Sequence, residues 1–279
     1  MDVQCGVCLK SESVTLLDSR LKLYKCRDCN HTVTAHPTHD PELYSAYYYS
    51  QAHKNWFKHP NFSLFSYLNQ TLRRLADGKN LNLLDVGCGN GDFLKYLAKK
   101  NPAWRLYGVD TVENEYLGVR FFRQDFFQYE PEIKFEAAVT LTVIEHIEDG
   151  HLFLEKIRAC LRPGGLLAVT TNNNDGLFYK IARGLNKIGF HAAHDRIYSS
   201  HHVQHFTNTS LRLLLERHGF QILVIKNHNY PLKAVDTPPA NLLMRTLYGI
   251  AVAVIFFLSG IFGNGFLQTC VCRKAFDRD

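Results

Sequence analysis

LNLLDVGCGNGDFLKYL, from Leu81 to Leu97, carries three structural signals in succession. Leu81 to Val86 is an apolar run of the kind that forms a buried parallel strand. Gly87, Gly89 and Gly91 then mark a sharp turn, and Phe93, Leu94 and Leu97 recur at helical spacing. A strand, a glycine turn and a helix start make a cofactor cradle, because backbone without Cβ atoms lets a ligand approach closely. The glycines read G-x-G-x-G rather than the G-x-G-x-x-G of a dinucleotide site, and Asp85 precedes them. A carboxylate there repels a pyrophosphate and suits a ligand carrying an amine or a sulfonium.

Downstream, strands and helices alternate. Trp104 to Asp110 reads as a second strand ending in an acid, Gly118 to Phe126 as a third ending in Asp125, and Phe135 to Leu141 as a central fourth. A helix from Leu152 to Leu161 follows, then an Arg162-Pro-Gly-Gly165 turn and a fifth strand from Leu166 to Thr171. This alternation predicts a parallel sheet covered on both faces, with ligands bound beyond the carboxyl ends of its strands. Asp85, Asp110, Asp125 and Thr142 all fall at those ends.

DVGCGNGDF resembles the first motif of class I S-adenosylmethionine (SAM)-dependent methyltransferases. The L-R-P-G-G-L-L string at Leu161–Leu167 resembles the same family, as does the order of His205-Phe206, a Thr/Ser helix cap and Gly219-Phe220. The likeness runs from about Tyr44 to Lys274. It implies a Rossmann-like α/β fold with a seven-stranded, mostly parallel sheet and helices on both faces. It also implies SAM as cofactor, held by Asp85, Gly87, Gly89, Gly91, Asp110, Asp125, Phe126, Leu141 and Thr142. Asp110 would bind the ribose, Asp125 the adenine amine, and Phe126 would lie against the ring.

Four of the eight cysteines form two C-x-x-C pairs, Cys5/Cys8 and Cys26/Cys29, separated by seventeen residues. This spacing is that of a four-cysteine structural zinc site, in which two knuckles complete a tetrahedron. A segment so short cannot bury enough core to fold alone, so metal would supply its stability. A redox dithiol pair is the competing reading. Residues 1–40 are therefore expected to form a zinc ribbon, 41–80 a helical linker or lid, and 81–279 the methyltransferase domain. The ribbon would grip a partner or act as a lid beside the site. The tyrosines at 44 and 47–49 would either close over the site or dock the ribbon.

No charged-then-apolar leader opens the chain, and a reducing cytoplasm is expected. The net charge of +6 permits anionic partners without demanding them. Basic residues are scattered rather than striped, which makes nucleic acid an unlikely partner. The fourth strand also ends in Thr-Leu-Thr-Val, not in the Asn/Asp-Pro-Pro-aromatic motif of exocyclic-amine methylation.

An oxygen acceptor needs a general base, and histidine titrates in the right range. His146, His201, His202 and His205 are the candidates, and Glu145, His146 and His205 are the expected catalytic residues. In ubiquinone-type relatives the Glu-His pair helps bind a divalent metal with an acid three residues earlier; here that position is Thr142. Helix-start packing for Glu145-His146 and capping for His205 are the structural alternatives. Finally, Leu247–Phe262 is apolar and, if helical, roughly 24 Å long, short of a bilayer core of about 30 Å. An apolar helix over 241–262 is expected to touch, not cross, a membrane, at its cytoplasmic face. The expected reaction is O-methylation of a sugar, a lipid-linked glycan or a small metabolite. An RNA methyltransferase and a non-catalytic scaffold are the alternatives.

Overall fold

The computed structural model describes residues 3–35, 55, 58–76, 80–112, 118–198, 201–236 and 241–276. The tyrosine-rich stretch at 44–49 lies outside the described residues. Three short strands come first: β1 (Val14–Asp18), β2 (Leu23–Cys26) and β3 (Thr32–Thr34). Helix α1 (Phe62–Leu75) precedes β4 (Asn82–Val86), α2 (Asp92–Lys100), β5 (Arg105–Asp110), β6 (Val119–Arg123) and β7 (Phe135–Leu141). Then come α3 (Gly150–Cys160), β8 (Leu161–Asn172), α4 (Leu177–Lys187), α5 (Ala192–Ile197) and β9 (Gln204–His205). The chain closes with α6 (Asn208–Arg217), β10 (Phe220–His228), α7 (Leu242–Ile261) and β11 (Leu267–Lys274).

The main sheet has seven strands in the order β10-β11-β8-β7-β4-β5-β6. Strands β6, β5, β4, β7 and β8 pair in parallel, and β11 runs against both β8 and β10. The chain grows outward from β4 to β5 and β6, then crosses back to β7. That reversal is the topological switch point where open α/β sheets bind ligands. Successive side chains of a strand point to opposite faces, so each strand feeds two cores. Leu84, Val86 and Ala138 join α3 and α6 on one side; Leu83, Ala137 and Val139 join α1 and α2 on the other. The Arg162–Gly165 stretch differs from the expected turn. Phe135 pairs with Leu161 and Ala137 with Leu166, so these residues bulge out of β8 instead of preceding it.

Two further findings refine the expected boundaries. The helical part of the expected linker or lid is α1: its Leu64, Phe65, Leu68 and Leu72 form a buried stripe packed on α2 of the main domain. The cysteine-bearing hairpin is not a separate unit. Its strands β1-β2-β3 continue into β9 of the main domain, with Thr32 opposite His205 and Val33 opposite Gln204. The cysteines share one apolar cluster with the sheet and α6. Helix α7 sits where expected, inserted between the paired edge strands β10 and β11.

Candidate functional site

All the strand-end residues singled out by sequence open onto one region. A cavity of about 850 Å³ lies over the carboxyl ends of β4, β5, β6 and β7, and Asp85, Gly87, Gly89, Asp110, Asp125, Phe126, Leu141 and Thr142 line it. The glycine turn is held in left-handed backbone, with φ of +72° at Gly87, +51° at Gly89 and +65° at Gly91. A Cβ on Gly87 would stand 2.5 Å from the Val143 side chain, so only glycine fits there. Above Gly89 there is open space, and its N–H donates to Asp110 Oδ2 at 2.7 Å. Gly91 is placed differently from expectation. It caps α2 and closes the turn through Cys88 but does not line the cavity.

The three acids are not equivalent. Asp110 accepts from the N–H groups of Gly89 and Val112, which fixes its carboxylate at the rim. Asp125 accepts from the Phe127 N–H at 2.9 Å and caps a short 3₁₀ turn that presents Phe126 to the cavity. Asp85 is buried, and among the described residues its Oδ1 has no hydrogen-bond partner. Burial, and secondarily the charge of Asp110, pushes its pKa up to about 8. An isolated carboxylate facing a cavity is unstable until a cation or donor reaches it. That is the chemistry an amine- or sulfonium-bearing ligand supplies, so the residues present fit SAM.

Beyond β7 the walls carry histidines. Thr142 is a β-branched residue at φ +57°, an uncommon strained geometry. It is held by its N–H to the Thr170 carbonyl and its hydroxyl to the Leu141 carbonyl. Glu145 is buried beneath it, accepts from the Thr171 hydroxyl at 2.8 Å, and is raised by burial to a pKa of about 7. His146 Nδ1 donates to the His201 carbonyl at 3.1 Å, which leaves Nε2 as the basic nitrogen of the neutral ring. Its ring lies 4.7 Å from that of His202. Ligand atoms of Glu145, His146 and His202 all lie within 4.8 Å of one another, a mixed N/O set that a divalent ion could take. The position of the acid in ubiquinone-type members is Thr142 here; His202, from a distant loop, joins Glu145 and His146 instead.

His205 requires correction. It lines no part of the cavity, and burial pushes its pKa down to about 3. It belongs to the junction with the N-terminal hairpin. The Thr34 hydroxyl donates to the His202 carbonyl and lies 2.8 Å from His205 Nε2. Beside it His31 Nε2 meets Gln204 Oε1 at 2.6 Å, and Gln204 Nε2 donates to the Glu148 carbonyl. Phe178, Tyr179, Arg196, Tyr230, Tyr248 and Phe266, none of them singled out individually from the sequence, close the far end of the cavity. They come from separate segments, and no periodicity links them.

The four N-terminal thiols converge. Cys5 and Cys29 Sγ atoms are 3.4 Å apart, Cys8 and Cys26 3.5 Å, and all four lie within 4.8 Å of one another. Tetrahedral zinc with Zn–S bonds of about 2.3 Å places its sulfurs about 3.8 Å apart, so the set fits such an ion. The Cys29 thiol hydrogen-bonded to Cys5 already holds Cys5 low, at about 4.

Residues 59–225 match a family model described as a methyltransferase domain. The ubiquinone biosynthesis O-methyltransferase of Bradyrhizobium diazoefficiens is 26% identical over 113 residues, 37% of this chain and 44% of that protein. The trans-aconitate 2-methyltransferase of an Acidovorax species is 25% identical over 112 residues, 38% of this chain and 43% of its own length. The chain thus spans less than half the length of these curated relatives. Among solved structures, the 1,6-didemethyltoxoflavin-N1-methyltransferase of Burkholderia thailandensis contains bound 1,6-didemethyltoxoflavin and S-adenosylhomocysteine. It matches with a TM-score of 0.53 at 16% identity, over 94% of this chain and 99% of that one. This last likeness is one of fold.

Proposed function

The chain belongs to the methyltransferase-domain family, of the class I SAM-dependent type, and on that premise we propose that it methylates an oxygen of a sugar, a lipid-linked glycan or a small metabolite. The observation that carries the reading is the buried Oδ1 of Asp85, unpartnered among the described residues, in a cavity shared with Asp110, Asp125 and Phe126. SAM, when bound, supplies a methyl group on a positive sulfur that an acceptor oxygen displaces in line. Asp85 receives the cationic end of the cofactor, the Gly87–Gly89 backbone permits its close approach, Asp110 receives the ribose hydroxyls, and Phe126 backs the adenine. The aromatic walls exclude water, and rigid strand ends align the two reactants.

His146 Nε2 is the leading general base, because its Nδ1–H is committed to the His201 carbonyl. Glu145 is a positioning residue held by Thr171. The four thiolates hold a structural zinc ion with no position left for substrate. Thiolate ligands of this kind belong in a reducing compartment, which supports a cytoplasmic site of action.

Purified protein titrated with SAM, then incubated with methyl-labelled SAM and a fractionated lysate, tests this reading. Saturable SAM binding with label in a soluble-sugar, metabolite or lipid-glycan fraction is the expected result. Label in RNA alone would replace the acceptor class. SAM binding without label in any fraction would favour a scaffold, and absence of SAM binding would overturn the reading.

A further inference from the structure

Helix α7 is long and apolar enough to cross a membrane by length and composition, with a mean hydropathy of 2.0 and only 17% of that stretch buried. Its buried residues, Val252, Phe256 and Ser259, form one narrow stripe seated on the body. Away from that stripe Leu243, Leu247, Ile250, Val254, Phe257 and Ile261 remain mostly exposed, Phe257 at 69%. A helix on a water-facing surface carries polar residues on its outer side; this one is apolar nearly all round. The neighbouring helix α4, which packs against it, is followed by Ile188 and Phe190, exposed at 70% and 67%.

Cations predominate around this face, with Asp236 an acid near Tyr248 of α7. No aspartate or glutamate occurs from Gly176 to His194 or from Thr237 to Phe276. Exposed cations stand on both helices and the adjoining turn: Lys180, Lys187, Lys233 and Arg245. A second copy of the chain is a poor occupant, because an isologous contact would bring these cations face to face. An anionic lipid surface answers both the apolar area and the charge.

We propose that the α4–α7 face docks on the surface of a bilayer containing anionic lipid. The helix lies in the interface and does not cross. His228 of β10 pairs with Leu267 of β11, so the chain leaves and re-enters the sheet at one place, and a single helix between them cannot end on the far side. Tyr248 of α7 also lines the cavity with Arg196 and Tyr230. The docked face therefore adjoins the end of the cavity opposite Asp85. Resting on the methyl-transfer reading above, this narrows the acceptor to a molecule with its polar part in that cavity and its apolar tail in the lipid.

Flotation of the full chain with vesicles of phosphatidylcholine, with or without phosphatidylglycerol, tests the docking without any methyl transfer. Binding should require phosphatidylglycerol, weaken with salt, and fall by more than about tenfold in an Ile250→Glu/Phe257→Glu variant. SAM affinity and circular dichroism of that variant should match wild type, which excludes misfolding. A milder Lys187→Ala/Arg245→Ala variant should bind more weakly while keeping the apolar face. Failure to float with anionic vesicles, or flotation indifferent to all these changes, would overturn the proposal. So would concentration-dependent dimers that the Glu substitutions dissolve. Intact flotation with no SAM binding would leave docking standing and remove only the methyl-transfer reading.

Discussion

At one end of the cavity, the glycines, acids and Phe126 suited to SAM come from residues 85–126, at the tips of β4, β5 and β6, joined by Leu141 and Thr142 at the tip of β7. At the other end, the walls come from the α4–α5 region, the loop before β9, the turn after β10, and α7. The donor end is local in sequence and made of backbone and carboxylates. The acceptor end is assembled over long range from aromatic rings, histidines and one arginine. The first suits a constant ligand and the second a specific one. The N-terminal hairpin reaches the second through β9 and the loop carrying His202. The two ends should therefore fail separately.

Gly87→Val should have the largest effect. It sets a side chain against Val143 at φ +72°, and strain and clash of about 3 kcal/mol would weaken SAM binding by about a hundredfold or more. Calorimetry measures this, and zinc content should not change. SAM affinity within about threefold of wild type would erase the distinction between the ends.

Asp85→Asn should cost about 2 kcal/mol, or about thirtyfold in Kd, by removing the charge that meets the ligand's cation. Its pH dependence is sharper. The free carboxyl titrates at about 8. A bound cation lowers that value, so a proton leaves on binding and affinity should rise with pH up to about 8, by at most tenfold per unit. The slope should vanish in the variant. A slope of opposite sign in wild type would place the cation elsewhere.

Cys29→Ser separates the ends from the other side. Loss of the metal should loosen β3, and with it the Thr34 bond to the His202 carbonyl. Methyl transfer to the acceptor fraction should fall by about tenfold, while SAM affinity stays within about threefold. Equal losses in both would mean that the hairpin supports the whole domain.

Gln204→Ala should be the mildest. It strands the buried His31 Nε2, at a cost of about 1–2 kcal/mol in chemical denaturation, with SAM affinity unchanged.

The donor end was readable because its determinants are consecutive: an apolar strand, glycines that alone tolerate the turn, and acids at successive strand ends. The zinc-type spacing of Cys5, Cys8, Cys26 and Cys29 was readable for the same reason. His205 was misjudged because a histidine beside a helix cap looks alike whether it faces a cavity or a buried junction. Gly91 was grouped with the cofactor residues by motif, although its work is to cap α2. For helix α1 the sequence left linker and lid open, because nothing in its own residues named the surface it would cover.

By itself, then, the sequence determined the alternating α/β plan, the glycine turn with its three acids, the four-thiol cluster and the apolar character of α7. Those depend on interactions over a few residues or on fixed spacings. The tertiary structure alone decided that β3 joins β9, that His202 instead of residue 142 meets Glu145 and His146, and that Tyr248 and Arg196 close the cavity. Each of these depends on segments far apart in the chain meeting at the edge of one sheet, where packing and register, not local pattern, choose the neighbours.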